Sequence, residues 1–508
     1  MNHEKLKIVI LGGGTAGWMT ANLMAARWKD RNIHFTLIES PDVGIVGVGE
    51  GSTPSMQNFF HEIGVEESEW MPECNATYKN GITFEGWTSI PGFEKYCHPF
   101  PSQMDIHTFP KFDNNCQLRR HNFDVEAHPD RFFLGSYLSQ NQRSPKANHN
   151  FPFDHPNGYH FDSNLLGSFL RKKAKQRGVE HLQRHVSGVI QKENGDISSL
   201  KFREGEIIEA DFFVDCTGFA GLLLQKTLKV PFINLDKVLF NDTAVVVATP
   251  VNKDDLNSQT KSTALKYGWA WDIPLTNRTG NGYVFSSRYC SVNDAETEFR
   301  THLGLLDADV NVRTVKWKQG RLEKSWSKNC LAIGLSQGFI EPIEAMALHL
   351  VYNSIGHFIT EFESGNFSNQ NQQQYNSIND RAFDGVVDYI LAHYRMNSRR
   401  DTDYWRDNAE NQNITPSFLA IVQSWLGASQ NNLADEIKKY DTGSFFPLAS
   451  WQILFAGYGV FPPPENVKPQ NIGNQSVNMD ELDNFIQRCG SNYSSHLESL
   501  NTLKQLAK

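Results

Sequence analysis

The chain opens with an apolar run, KLKIVIL at residues 5–11, which predicts a buried strand. A glycine turn follows, and TAGWMTANLMAARW then carries apolar residues at helical spacing. NIHFTLIES predicts a second strand ending at Glu39, so the start reads as a β-α-β unit. From about 90 to 160 the pattern loses its period and fills with Pro, His, Asn and aromatics, as in HPFPSQMDIHTFPKF and NFPFDHPNGYHF, which predicts irregular segments inserted into the core. Strands are predicted again at ISSLKF, EIIEADFFVDCTG, DTAVVVATP and GYVFSSRYC, and a helix over EAMALHLVYNSIGHFITEF. SGNFSNQNQQQYNSIND, residues 364–380, is polar and Asn/Gln-rich and predicts a surface connection or a solvated helix face. The remainder reads as mainly helical, with aromatic clusters at DYWRD and SFFPLASWQILFAGYGVFPPP. A core over 1–363 and a mostly helical module over 364–508 are the expected divisions, and no internal repeat is visible.

One strand stands out. In GWAWDIP, Gly268–Pro274, the two indoles fall at i and i+2, so Trp269 and Trp271 line one wall together, and Pro274 ends the run. For an isolated pair of this kind, core packing is the plain explanation.

Composition narrows the field. The chain has 508 residues, 39% of them hydrophobic and 21% charged, as expected of a folded, soluble protein. A net charge of -9 without a Lys/Arg run argues against nucleic acid or an anionic membrane as partner. No window reaches the roughly 18 apolar residues of a membrane span, and the N-terminal apolar run is too short for a signal peptide. The seven cysteines are scattered without a CxxC pair, which predicts neither a disulfide framework nor a cysteine zinc site. A cytoplasmic location follows as the expectation.

GGGTAG adds the first chemistry. Gly12, Gly14 and Gly17 have G-x-G-x-x-G spacing between a strand and a helix. The first glycine permits the tight turn, the second lets backbone amides approach a pyrophosphate, and the third allows close helix packing. Glu39 ends the next strand about 20 residues on, where a carboxylate meets ribose hydroxyls. These residues do not separate NAD from FAD. No second fingerprint follows, which disfavours a nicotinamide site beside a flavin.

Taken together, the motifs resemble the flavin-dependent tryptophan halogenases. The resemblance begins at Gly12-Gly-Gly-Thr-Ala-Gly-Trp18 and continues through Gly47-Val-Gly-Glu-Gly-Ser-Thr-Pro54 and Glu69-Trp-Met-Pro-Glu-Cys-Asn-Ala-Thr-Tyr-Lys79. It includes Trp269-Ala-Trp-Asp-Ile-Pro274, Phe339-Ile-Glu-Pro-Ile-Glu344 and Asp401-Thr-Asp-Tyr-Trp405, in the family's order along nearly the whole chain. It implies an α/β flavin-monooxygenase-like fold, a Rossmann-type βαβ unit plus a substrate-side sheet, with an added, mostly helical C-terminal module. It also implies FAD, delivered reduced by a separate NAD(P)H-dependent reductase, together with O2, a halide and a small aromatic substrate, and it is compatible with a homodimer. Hypohalous acid made at the flavin would pass through a tunnel to the substrate. Trp269, Trp271 and Pro274 would wall the flavin off, so that a small oxidant passes and an organic substrate does not.

The resemblance assigns residues as well. Lys79 matches the essential lysine, which aims the halogen either by a hydrogen bond or as a haloamine, and Glu344 matches the carboxylate that stabilises the arenium and takes its proton. A helix-start acid after Pro342 is the structural alternative for Glu344, and Glu341 fits that alternative better. Cofactor contacts are implied at Gly12, Gly14, Thr15, Ala16, Gly17, Glu39, Gly49, Glu50, Gly51, Val186, Leu335 and Leu348. Halide amides are implied at Met346 and Ala347. Here the chain departs from its relatives, with Ala345-Met346-Ala347 where they have Ser-Thr-Gly or Ser-Thr-Ser. A more apolar, polarisable site suits bromide or iodide better than chloride, since larger anions lose less hydration. His98 and Phe100 match the pair that sandwiches indole in the family, and Phe445 and Phe446 fall in the corresponding C-terminal substrate stretch, with core filling an equal alternative for the phenylalanines. The Tyr-Tyr element that helps hold free tryptophan is missing upstream of Phe445, which points to an indole, a phenol or a larger or carrier-bound aromatic. No histidine spacing suggests a metal. The rivals are a flavin-dependent aromatic hydroxylase, and a flavin-binding protein without catalysis.

Overall fold

Leu6–Leu11 lies inside a six-stranded sheet, flanked by Ile33–Glu39 and Phe212–Asp215. The order runs Trp326–Ser327, Cys330–Ala332, Phe212–Asp215, Leu6–Leu11, Ile33–Glu39, Glu180–Gln183, parallel except at the Trp326–Ser327 edge. Parallel strands are covered on both faces, so their sequences are continuous apolar runs rather than alternating ones. Helix Thr15–Arg27 packs against helices Ser163–Gln176 and Ala347–Ser364 and is buried almost all round from Thr15 to Ala25. Beside the sheet, Val9, Leu11, Ile38 and Phe213 share a core with Ile197, Leu200 and Phe202, which come from a small antiparallel sheet over Val186–Glu209.

This computed structural model describes residues 5–42, 44, 47, 49–252, 256–427, 432–440, 445–464 and 477–506. The chain forms two compact units, each assembled from three stretches. The first comprises Met1–Asn75, Phe161–Leu235 and Trp317–Asp380, and the second Ala76–His160, Asp236–Lys316 and Arg381–Lys508. This division differs from a single boundary at 363/364, because strands such as Phe212–Asp215 and Cys330–Ala332 return to the parallel sheet after long excursions.

The second unit is built on a seven-stranded sheet, ordered Arg313–Lys316, Thr243–Thr249, Thr279–Phe285, Gly268–Pro274, Thr260–Leu265, Gly81–Glu85, Lys95–Pro99. On one face Val245, Val247, Ala270, Tyr283 and Phe285 pack with Ala295 and Phe299 of helix Val292–His302. Strand alternation sends Trp269 and Trp271 to the opposite face. After Arg381 the described residues are mainly helical, from the end of helix Gln372–Arg395 to His496–Leu506, with one short strand at Tyr493–Ser495. No helix of the described residues is long and apolar enough to cross a membrane.

One local expectation fails. The segment over 90–160 is not irregular throughout: it holds helices Phe109–Arg120 and Leu134–Gln140. Asn115 sits among the buried positions Phe112, Cys116 and Leu118, which hides the helical stripe. The Asn/Gln-rich run lies mostly at the surface, with Asn376 and Asn379 buried on its inner side. Asn376 accepts from the Trp326 backbone N–H at 2.9 Å and donates to its carbonyl at 2.9 Å, and Asn379 donates to the Ser325 hydroxyl at 3.0 Å. Amides that replace backbone partners are buried for that reason.

Candidate active site

In the first unit the glycine turn is shaped for a pyrophosphate. Gly12 has φ +120°, and a Cβ there would stand 2.1 Å from the Cys216 carbonyl oxygen. A Cβ on Gly17 would fall 2.0 Å from the Gly12 carbonyl. Gly14 differs, with nothing within 4 Å of its Cβ position. It is the N-cap of helix Thr15–Arg27, has no side-chain cap, and no acid occupies the first turn. Two glycines packed shut and a third opening at an uncapped helix start leave amides and the positive end of the dipole for an anion. The expected FAD therefore fits here.

Glu39 lies against the same turn, since a Cβ on Gly13 would meet its Oε2 at 1.7 Å. Its Oε1 takes His181 Nε2 at 2.8 Å, with Arg171 at 3.5 Å. Ala16 supports the turn from the other side: its Cβ is 2.7 Å from the Gly334 Cβ position, ahead of Leu335. Val186 is half-buried at the start of its strand. Gly49 has φ +94° and leads into the short strand Glu50–Gly51. Desolvation raises the Glu50 pKa above the usual carboxylate value, and Asp162 adds to the rise.

The turn at Glu344–Ala347, where a halide is expected, lies in the same unit. Ala345 holds φ +55°, and its N–H donates to the Pro342 carbonyl at 2.9 Å. Met346 then caps helix Ala347–Ser364 without a side-chain hydrogen bond, and its first turn contains no acid. Met346, Leu348 and Glu344 are buried. His349 Nδ1 lies 3.1 Å from the Thr53 hydroxyl, and desolvation lowers its pKa to about 4, so it stays neutral at pH 7. An uncapped helix start beside a neutral histidine fits a monovalent anion. Glu341 is structural: its backbone N–H donates to Gln319 Oε1 at 3.1 Å, and its carboxylate accepts from Gln319 Nε2 at 3.4 Å.

The second unit holds Lys79, whose residue exposure is 0%. It ends strand Thr77–Lys79, with Nζ 5.6 Å from the Phe100 ring centroid. Two residues earlier, Thr77 donates from its hydroxyl to the Pro274 carbonyl at 2.7 Å. The lysine strand is thus tied to the end of GWAWDIP. Thr77 faces His160 across an antiparallel pair, at 3.1 Å from its Nδ1, and His160 Nε2 lies 2.9 Å from the Thr260 hydroxyl. Burial first, and the Lys79 charge second, hold the His160 pKa well below the usual histidine value.

Trp269 and Trp271 stand 6.0 Å apart, tilted at 55°, and both are buried. Trp271 lies over Gly282, its cross-strand partner, where a Cβ would be 2.1 Å from the indole Cζ2. His98 and Phe100 alternate on one side of the chain, and Phe100 N–H donates to the Asn80 carbonyl at 3.1 Å. Phe446 is buried and Phe445 half-buried.

The match to known proteins decides the family. The family model described as tryptophan halogenase covers residues 7–471. The chain belongs to the tryptophan halogenase family. It is 38% identical to the tryptophan 6-halogenase SttH of Streptomyces toxytricini over 82% of this chain and 83% of that one. The tryptophan 7-halogenase RebH of Lentzea aerocolonigenes is 30% identical, with 97% of each chain covered. Among solved structures, Tar14, a tryptophan C-6 flavin-dependent halogenase from taromycin biosynthesis, superposes with a TM-score of 0.86 at 31% identity, over 98% of this chain and all of that one. The protein is a flavin-dependent halogenase with a Rossmann-type α/β fold and a helical C-terminal region.

The halogenase also has residues near these sites that its sequence did not single out. Thr77 was accessible, since strand period two puts it on the Lys79 side. His349, three residues after Met346 on the helix, was accessible in the same way. His160 was not, because only the pairing register places it beside Thr77.

Proposed function

We propose that this halogenase acts on a compact, electron-rich aromatic, indole- or phenol-like, with Lys79 directing the halogen and bromide or iodide used better than chloride. The observation that carries the proposal is the fully buried Lys79, its Nζ facing the Phe100 ring, at the end of a strand pinned to Pro274. Reduced FAD, when bound, supplies with O2 the oxidising power that turns halide into hypohalous acid. In the net transfer the aromatic C–H and HOX become C–X and water. Lys79 holds the halogen, by a hydrogen bond to hypohalous acid or as a haloamine, in a site from which water is excluded. His98, Phe100, Phe445 and Phe446 offer ring faces to the substrate. Glu344 is the carboxylate that takes the ring proton. Trp269, Trp271 and Pro274 keep organic molecules from the flavin compartment.

For the cofactor, the Gly12–Gly17 turn with Thr15 and Ala16 takes the pyrophosphate, and Glu39 takes the ribose. Gly49, Glu50, Gly51, Val186, Leu335 and Leu348 complete the contacts. The halide sits on the Met346 and Ala347 amides, where the methionine side chain makes the site apolar and lowers the advantage of the strongly hydrated chloride. A separate NAD(P)H-dependent reductase supplies the reduced flavin, in keeping with the single dinucleotide fingerprint, and the cytoplasm is the compartment proposed.

The test is a product screen: protein, FAD, a generic flavin reductase, NADH and O2, with indole, phenol and tryptophan, in chloride and bromide at equal concentration. Mass spectrometry should show the bromine isotope pair, with more bromo- than chloro-product and none from Lys79→Ala. A product heavier by one oxygen would replace the proposal with the hydroxylase. Equal turnover of the two halides would remove the halide preference alone.

A further inference from the structure

Tyr389, on helix Gln372–Arg395, is fully buried among the aromatic side chains assigned to the substrate. Its ring lies flat on Phe446, with centroids 3.6 Å apart and planes within 1° of parallel. It also stacks on His98, at 5.8 Å and 29°. Trp451 meets it edge-on at 4.9 Å, and His393 at 5.6 Å. The hydroxyl donates to the Ser450 carbonyl at 2.9 Å. Ring faces on two of the four proposed substrate residues are therefore already covered by a side chain of the protein itself.

Ordinary core packing accounts for burial but not for this geometry. Aromatic pairs in cores favour offset or edge-to-face arrangements, and a nearly eclipsed sandwich is the least preferred of them. The Trp451 and His393 contacts follow that rule, at 73° and 74°. The Phe446 contact does not. Phe446 presents a flat face where a planar guest would lie, and Tyr389 lies on it.

We infer that Tyr389 is a specificity-determining residue: a resident ring in the slot of His98 and Phe446 that makes the site favour a compact aromatic over an amino acid such as tryptophan. The inference rests on the aromatic-halogenase reading of these residues. A guest has either to fit beside the tyrosine or to turn it out, and turning it out breaks the bond to Ser450. Both costs grow with the size of the guest. None of the four ring neighbours carries a carboxylate or guanidinium that would repay a zwitterion for its lost hydration.

Two variants of the full chain test this, Tyr389→Leu, which removes the ring, and Tyr389→Phe, which removes only the hydroxyl. Calorimetric titration with indole and with tryptophan gives the ratio of the two affinities, and kcat/KM for each gives the ratio in turnover. Tyr389→Leu should shift both ratios toward tryptophan by about tenfold, which corresponds to roughly 1.4 kcal/mol. Tyr389→Phe should move them part of the way, through KM more than kcat. A wild type that binds neither ligand, beside a Tyr389→Leu variant that binds both alike, would show a ring that only fills the slot and would overturn the inference. Ratios unchanged in both variants, or indole and tryptophan weakened alike, would overturn it as plain core loss. If Tyr389→Leu does not fold, an unchanged ratio in Tyr389→Phe overturns it. Absence of halogenated product with every substrate would count against the halogenase reading, while the calorimetric ratio would still decide the role of Tyr389.

Discussion

Thr77 shows how one hydroxyl fixes a neighbour's protonation and a strand's position together. Because it donates to the Pro274 carbonyl, it accepts from His160, so the proton of that imidazole sits on Nδ1. Nε2 is then an acceptor, and the Thr260 hydroxyl donates to it. This neutral tautomer agrees with the depressed pKa that burial and the Lys79 charge impose. Thr77→Val keeps the shape and deletes the bond, leaving a buried carbonyl and an imidazole N–H unpaired. The expected loss is about 1–3 kcal/mol, read as a lower urea midpoint. Turnover should fall more than substrate affinity, since Lys79 loses a restraint and the aromatic faces do not. A variant matching wild type in both respects would show that the Lys79 strand is held elsewhere.

The strand Gly268–Pro274 was legible in the sequence with its bounds and its two-indole face, because alternation in strands is local. What it faces was not. Trp271 needs Gly282 beneath it, and only the pairing register shows that the two are partners. Gly282→Ala places a methyl inside the indole's contact distance and must push the ring off the sheet. Overpacking of this kind costs about 1–3 kcal/mol. A reduced melting temperature with an altered near-UV dichroism signal is expected, and an unchanged spectrum would mean that the ring does not rest on Gly282. The same divide between local and non-local information runs through the rest of the fold. The glycine turn, the β-α-β unit and the helix after Met346 could be read because their signals are contiguous. Helix Phe109–Arg120 was obscured by a buried asparagine, and the two buried members of the otherwise exposed Asn/Gln-rich run, Asn376 and Asn379, were not legible because they bond backbone and hydroxyl groups far away in sequence. A boundary at 363/364 followed composition, whereas the two units follow strands that return to a sheet. Tyr389 carried no signal at all: a tyrosine in an apolar helix face is ordinary until its stacking partners are known.

Across the whole chain, the cysteines test both units at once. All seven are free and buried. Burial raises every one of their thiol pKa values, Cys290 to about 11 and Cys97 to about 12, with Cys74, Cys116, Cys216, Cys330 and Cys489 raised as well. The thiolate is the reacting species, and a thiol of pKa about 11 is ionised only to about one part in a thousand at pH 8. Lack of access and lack of ionisation therefore act in the same direction. The native protein should show no fast-reacting thiol toward an aromatic disulfide reagent, and all seven should react in concentrated guanidinium. Cys74, Cys216 and Cys330 belong to the first unit, and Cys97, Cys116, Cys290 and Cys489 to the second. Peptide mapping of the slow native reaction would thus report the opening of each unit separately, since buried groups react through transient opening. Rapid labelling of any one of them in the folded enzyme would contradict the packing around that residue, and the peptide that carries the label would identify where.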